Sequence, residues 1–439
     1  MAGGTWTTQN KIRPGVYIQF TGESKAPSVR GERGTVTMPL VLSWGPEKQI
    51  IEIQAGDNVQ QKLGYDLTAP QVLLVKEALK RANKLLLYRV NSGEKARATL
   101  GEGITVIAKN SGSRGNDISV AVRAHVDEPA MTEVVTYLSG AEVDTQVVSD
   151  TSELQSNAWV DFSGEGALEP AAGIRLSGGE DGTATNQDYM DYLEAVGAED
   201  FHTLALPSEQ ADLKSVCVTF VRRLRELEGK KIQAVLANHP IADYEGIISV
   251  KNGVVLSDGT SLDAAQATAW VAAATAAAEV NQSLTYQAYD DAVDASIRYT
   301  SSQIEEALRS GELVFVHTNG RAVVEQDINT LVSFTPQKGK AFSKNRVIRV
   351  LDGLANDFKR KFELYYIGKV DNNADGRGLF RSECVNDLEL YQNLNAIQNF
   401  DPQEDIMVEP GEESDSIYVE ARVQPVDAIE KIYMKVKVN

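Results

Sequence analysis

The stretch FHTLALPSEQADLKSVCVTFVRRLRELEGKKIQAVLAN, residues 201–238, sets the class of the fold. Its two ends, FHTLALP and KKIQAVLAN, are short apolar runs of strand length. Between them SEQADLKSVCVTFVRRLREL carries apolar residues at helical spacing, with Ser208 placed to cap the helix. Strand, helix and strand in succession read as part of an α/β sheet. The alternation extends upstream. NQDYMDYLEAVG (186–197) reads as a helix, a helix over 70–83 runs into a strand over 84–90, and GTVTMPLVLSWGP (34–46) is a β-rich run ended by Gly-Pro.

Something interrupts this sheet. From about Gly93 to Leu176 helix signals give way to short alternating runs, among them ITVIA, DISVAVRA and EVVTYL, which predict a small β-sandwich or barrel. The turn-forming stretches NSGEKA and LSGGEDGT bound it, and NSGSRGND is a tight connection between two of its strands. As a peripheral module, it is expected to share few contacts with the core. After residue 250 comes a helix in which ten of the fifteen residues from Ala264 to Ala278 are alanine, which suits a covered, closely packed position. A helix stopped at Gly311 and a hairpin turning at Asn319-Gly320 follow. In the last hundred residues Val347, Leu351, Leu354, Phe358, Phe362 and Tyr365 recur at helical spacing. The expected organisation is an arm (1–25), an α/β core in two parts (26–92 and 177–335), an inserted β domain (93–176) and an α+β C-terminal domain (336–439).

Composition narrows the function. The 43 Lys and Arg against 62 Asp and Glu give a net charge of −19, which argues against nucleic acid and anionic membranes as partners. No apolar run reaches membrane-spanning length, and MAGGTWTTQNKIRPG lacks the form of a secretion signal. Cys217 and Cys384, far apart and outside any CxxC spacing, read as reduced thiols of a protein made in a cytosol.

A search for chemistry yields no catalytic, cofactor or metal residue. LSGGEDGT lacks the Lys-Ser/Thr of a phosphate loop, and KGKAF has Ala341 where a magnesium-binding hydroxyl belongs. Asp371, Asn373, Asp375 and Gly376 match the first half of a calcium loop. The twelfth position is Ser382, however, and the flanks do not read as paired helices, so a polar turn is expected. His202 and His317 fall in apolar strands as hydrogen-bonded core histidines, while His125 and His239 are scattered. The acid clusters YDDAVDAS and EPGEESDS read as solvated faces or loops.

Two strand-forming segments remain. In RPGVYIQF, Val16, Ile18 and Phe20 alternate with Tyr17 and Gln19; in IYMKVKVN, Ile432, Met434, Val436 and Val438 alternate with Tyr433, Lys435 and Lys437. Each must complete a sheet in its own subunit or in a neighbour's, and periodicity allows both. Charge is also segregated: residues 336–370 hold nine Lys or Arg against three acids, and residues 401–420 hold eight acids and no base. Opposite patches, with Lys359, Arg360 and Lys361 in one and Glu409, Glu412 and Glu413 in the other, suit a repeating head-to-tail contact. Ordinary surface patchiness, or a basic stretch turned toward another protein, explains them as well.

The motifs RPGVYI, GSRGNDISV, LSGGEDG, INTLVSFTPQKGKAFSKNRVIRVLDGLANDF, GKVDNNADGRGLF and VQPVDAIEKIYMKVKV resemble those of the tail sheath proteins of contractile bacteriophage tails and phage-tail-like bacteriocins. The likeness spans almost the whole chain. It implies a non-enzymatic structural subunit without cofactors, whose arms are completed by neighbouring subunits. Many copies would form a helical sheath of stacked rings around an inner tube, bounded by baseplate and terminator proteins, in a virion or virion-like particle assembled in the host cytoplasm. The inserted domain would project outward and the C-terminal domain would face the tube; contraction would drive the tube through a cell envelope. The competing classes are a surface adhesin that assembles without contracting, and a hydrolase whose site has no motif.

Overall fold

The computed structural model describes residues 2–4, 15–17, 33–101 and 103–438. Residues 1–32 form one unit, in which Ala2–Gly4 and Gly15–Tyr17 pair as parallel strands. Residues 33–439 form the other.

Residues 201–238 fold as the strand Thr203–Ala205, the helix Ala211–Arg222 and the strand Gln233–Ala237. The helix opens after Gln210, so Ser208 is not its cap; the Ser208 hydroxyl accepts the Gln210 N–H in a local turn instead. The two strands lie at the middle of a seven-stranded sheet. Its order is Glu312–Leu313, Ile247–Val250, Gln233–Ala237, Thr203–Ala205, Thr35–Leu40, Lys84–Arg89 and Ile50–Gln54. All neighbours are parallel except the last pair. Helices cover both faces, so the strands are apolar on both sides: Leu85 and Leu87 join one core, Leu86 and Tyr88 the other.

The alanine helix, Ala264–Ala277, packs on the first face, capped by Asp263 in a capping box with Gln266. Without side-chain bulk it lies close enough for the Thr203 hydroxyl to donate to the Ala272 carbonyl at 2.8 Å. Trp270, its one large residue, stacks on Tyr289 at 4.4 Å between centroids. The helices Asn186–Gly197 and Ala211–Arg222 cover the opposite face.

The insertion is a β-sandwich. Ala141–Val148, Thr132–Leu138, Ile118–Ala124 and Ala171–Arg175 form one antiparallel sheet; Val160–Ser163, Ile104–Ala108 and Arg97–Leu100 form the other. Its joint with the core is not sparse, contrary to expectation. Trp44, from the core segment, is fully buried among sandwich residues, 5.6 Å from Trp159. Arg89 donates to the carbonyls of Gly45 and Ser111, and Asn91 bridges Leu42 to the Asp181 carbonyl. Asp181 accepts from Ser43 and Ser113. The entering and leaving strands of chain are pressed together: a Cβ on Gly93 would lie 1.8 Å from the Glu180 carbonyl oxygen, and one on Gly182 1.7 Å from that of Ser92. This close approach is what Gly93 of NSGEKA and Gly182 of LSGGEDGT serve.

Candidate assembly interface

The C-terminal region is built on two helices, Asn345–Lys361 and Ala374–Asn393. Gly353 lets them meet: a Cβ there would sit 2.6 Å from the Tyr391 hydroxyl, which donates to Asp357 at 2.8 Å. The second helix begins inside DNNADG, with Asn373 accepting the Gly376 N–H as its cap. The flanks, expected not to be paired helices, are helical on both sides, and the expected turn is the start of the second helix; residues from Ala374 onward are already helical instead of wrapping an ion.

The helical spacing that placed Tyr365 on the buried face fails at Phe362–Tyr366, which forms a π turn. Val347 and Leu354 remain buried, but the extra residue per turn throws Leu364, Tyr365 and Ile367 outward. Phe362 and Tyr366 stay packed edge-on against Phe380.

Of the three bases singled out from sequence, Lys361 is a correction. It is buried between the helices, where its ammonium reaches Glu383 and Asp387, because one positive charge is needed to hold two carboxylates at this seam. Burial raises the Asp387 carboxyl; burial of Lys361 acts downward, and its bonds to both acids more than offset that. Arg360 is half-buried and Lys359 is exposed, donating to the Glu228 carbonyl. Glu409, Glu412 and Glu413 are exposed on or beside a hairpin of Ile406–Pro410 and Ile417–Ala421. The register pairs Met407 with Glu420 and Glu409 with Tyr418 on one exposed face; Ile406 turns the other face inward. Among the described residues, Ile417–Ala421 has no strand on its outer side.

The last pairing along the chain joins Gln424–Pro425 to Ile397–Gln398, extended by the Val426 N–H to the Ala396 carbonyl. Beyond it, among the described residues, no backbone hydrogen bond holds 427–438 to another segment. Among the described residues, the predicted strand finds no partner within the subunit. Ile432, Met434, Val436 and Val438 are 73–91% exposed, and Tyr433 on the opposite face is 92% exposed. One residue of the segment is held: the Glu430 carboxylate accepts from Thr285 Oγ1 at 2.9 Å, from Gln326 and from Lys344. Sequence reasoning passed over Glu430, whose position just before the alternating run was the available signal. At the other end, Val16 and Tyr17 lie in the strand paired with Ala2–Gly4, while Ile18 and Phe20 fall outside the described residues.

The histidines divide by environment. His202 is mostly buried, its Nδ1 accepting the Thr35 N–H at 3.3 Å. His317, expected in the core, sits on the exposed side of its hairpin with Nδ1 3.2 Å from Asp294. His239 is buried and His125 half-buried. Cys217 and Cys384 are buried free thiols.

Four family descriptions match consecutive parts of the chain. They are the tail sheath protein Gp18 domain III N-terminal region (33–90), the phage tail sheath protein beta-sandwich domain (91–181), the phage tail sheath protein central domain (182–330) and the phage tail sheath C-terminal domain (337–439). A sheath tail protein from Desulfitobacterium hafniense is 55% identical, with a TM-score of 0.87 over 97% of this chain and 100% of that one. The phage-like element PBSX protein XkdK of Bacillus subtilis is 38% identical over all of both chains. The anti-feeding prophage helical sheath in its contracted state shares the fold at 12% identity, with a TM-score of 0.56 over 98% of this chain and 100% of that one.

Proposed function

The chain belongs to the phage tail sheath family, and from that premise we propose that it is the subunit of a contractile sheath held together by strand donation. The observation that carries this reading is the row Ile432, Met434, Val436 and Val438, alternating as a half-buried strand does yet exposed on the isolated subunit. Such a row finds burial only on another surface, at about 1.5–3 kcal/mol per side chain. The acceptor is the open hairpin strand Ile417–Ala421 of a neighbour. Added to that edge, the arm sets Lys435 and Lys437 on the sheet face of Glu409 and Glu420, and its apolar row on the opposite face with Ile417, Val419 and Ala421. The segment at Val16, Tyr17, Ile18 and Phe20 is the second donor.

Repeated head-to-tail, this contact builds stacked rings around an inner tube, with baseplate and terminator proteins at the ends of the assembly. Arms that remain paired while folded bodies repack permit a shorter, wider state without nucleotide hydrolysis, and that transition drives the tube through an envelope. Assembly takes place in the host cytoplasm and the product is a tail or tail-like particle.

Deletion of residues 431–439, which spares Glu430, tests the reading by electron microscopy of the purified protein. The expected product is a folded monomer that forms no tubes; tubes of normal appearance contradict strand donation, and small closed oligomers of the intact chain favour an adhesin.

A further inference from the structure

Glu430 is anchored in an otherwise unheld segment. Ile429 before it is 87% exposed and Ile432 after it 79%, yet the Glu430 side chain is only 10% exposed. Its three donors come from different parts of the body. Thr285 and Gln326 belong to the region between the alanine helix and the C-terminal domain, whereas Lys344 immediately precedes the first C-terminal helix.

The receiving pocket is prepared by a buried polar network. Thr285 Oγ1, which donates to Glu430, also accepts the Asp327 N–H at 2.9 Å. The Asp327 carboxylate, itself buried, accepts from the Leu284 N–H, from Asn345 at 2.9 Å and from Arg349. Asn345 in turn accepts from Gln233, on a central strand of the seven-stranded sheet. Tyr286, next to Thr285, has φ +60, an uncommon conformation for a bulky residue, and its N–H is held by the Val324 carbonyl. The chain around Thr285 is therefore fixed before Glu430 arrives, and charge-assisted bonds are strong enough to hold one residue there.

We propose that Glu430 is the fixed root of the arm: it locks residue 430 to the joint between the central sheet and the C-terminal helices, so that the arm's point of departure is set by the body and its freedom begins at Lys431. This rests on the strand-donation reading for its consequence in assembly, but not for the clamp itself. Glu430 is a positioning residue, acting through the apolar row that follows it. A clamp with this geometry lets folded bodies reorient while each arm bends at one place, between residue 430 and the row that starts at Ile432.

The clamp is tested on the monomer by trypsin, which needs locally mobile chain. Lys431 adjoins the clamp and Lys435 lies in the free arm, so the unmodified protein is cleaved after Lys435 about tenfold faster than after Lys431. In Glu430→Ala the two sites are cleaved at similar rates, with Tm within about 3 °C of the parent. The concentration needed for tube formation rises about tenfold. The exchanged pair Glu430→Lys with Lys344→Glu restores the slow cleavage after Lys431, which a merely structural loss does not predict. If Glu430→Ala fails to fold, Glu430→Gln, which retains hydrogen bonding but not the charge, gives an intermediate cleavage ratio. Equal cleavage at both sites in the unmodified protein, or tube formation by Glu430→Ala at the parent's concentration, overturns the proposal. Tubes formed by the 431–439 deletion reject strand donation instead, and leave the cleavage ratio as an independent reading of the clamp.

Discussion

The sandwich and the arm both leave the central body, and they are tied to it in opposite ways. At the sandwich the chain crosses twice, the crossings pair at Glu94 and Glu180, Trp44 reaches across, and Arg89, Asn91 and Asp181 fill the seam with hydrogen bonds. At the arm the chain crosses once and one carboxylate holds it. Many short-range contacts cooperate to make a joint rigid; a single anchored residue fixes position and leaves direction beyond it free. The first joint suits a domain carried as part of a rigid body, the second an element that must find its partner elsewhere.

The largest expected effect lies at the rigid joint. Trp44→Ala empties a fully buried site shared by core and sandwich and costs about 3–5 kcal/mol by chemical denaturation. Replacing residues 93–176 with a short Gly/Ser linker exposes the same indole. That chain is expected to be soluble only when Trp44→Ser accompanies the replacement, and solubility without it shows the joint to be weaker than its contacts imply.

The buried core also holds a titratable group shifted by its surroundings. Burial first, then Arg33 and Arg360, push the His202 imidazole from 6.5 down to about 4. The folded chain therefore binds fewer protons here than the unfolded one. The contribution of neutral His202 is complete above about pH 6.5 and is lost as pH falls toward 4. His202→Gln keeps an acceptor for the Thr35 N–H, so the parent loses stability relative to this variant across that window; a constant difference between the two rejects the assignment.

The smallest effect is at the arm's charges. Lys435→Glu weakens tube formation by a few-fold, in line with about 0.2–1 kcal/mol for a cross-strand pair, and Glu420→Lys restores it. Added salt reduces both changes, as exposed pairs require. Lys361→Glu offers no comparable test, since it adds a third carboxylate beside Glu383 and Asp387 and disrupts the fold itself.

Periodic features were legible before the structure. Residues 201–238, the alanine helix, the sandwich strands and the Asn319-Gly320 hairpin each rest on a repeat of two or 3.6 residues, or on a turn that only certain residues make. Illegible features depend on partners distant in sequence. Lys361 reads as an exposed base until Asp387 is placed beside it, and Trp44 reads as a core residue until the sandwich closes over it. The π turn at Phe362–Tyr366 shifts a register that spacing alone extends unbroken. The arm's row was plain from alternation, whereas its exposure, unpaired with any described segment of the subunit, required the structure.

Amide hydrogen exchange of the segment Ile432–Val438, compared between monomer and assembled tubes, tests strand donation most directly. The account predicts unprotected amides in the monomer and protection of more than about a hundredfold in tubes, with Ile417–Ala421 gaining protection in parallel. Equally fast exchange of Ile432–Val438 in both forms, or protection already present in the monomer, contradicts it.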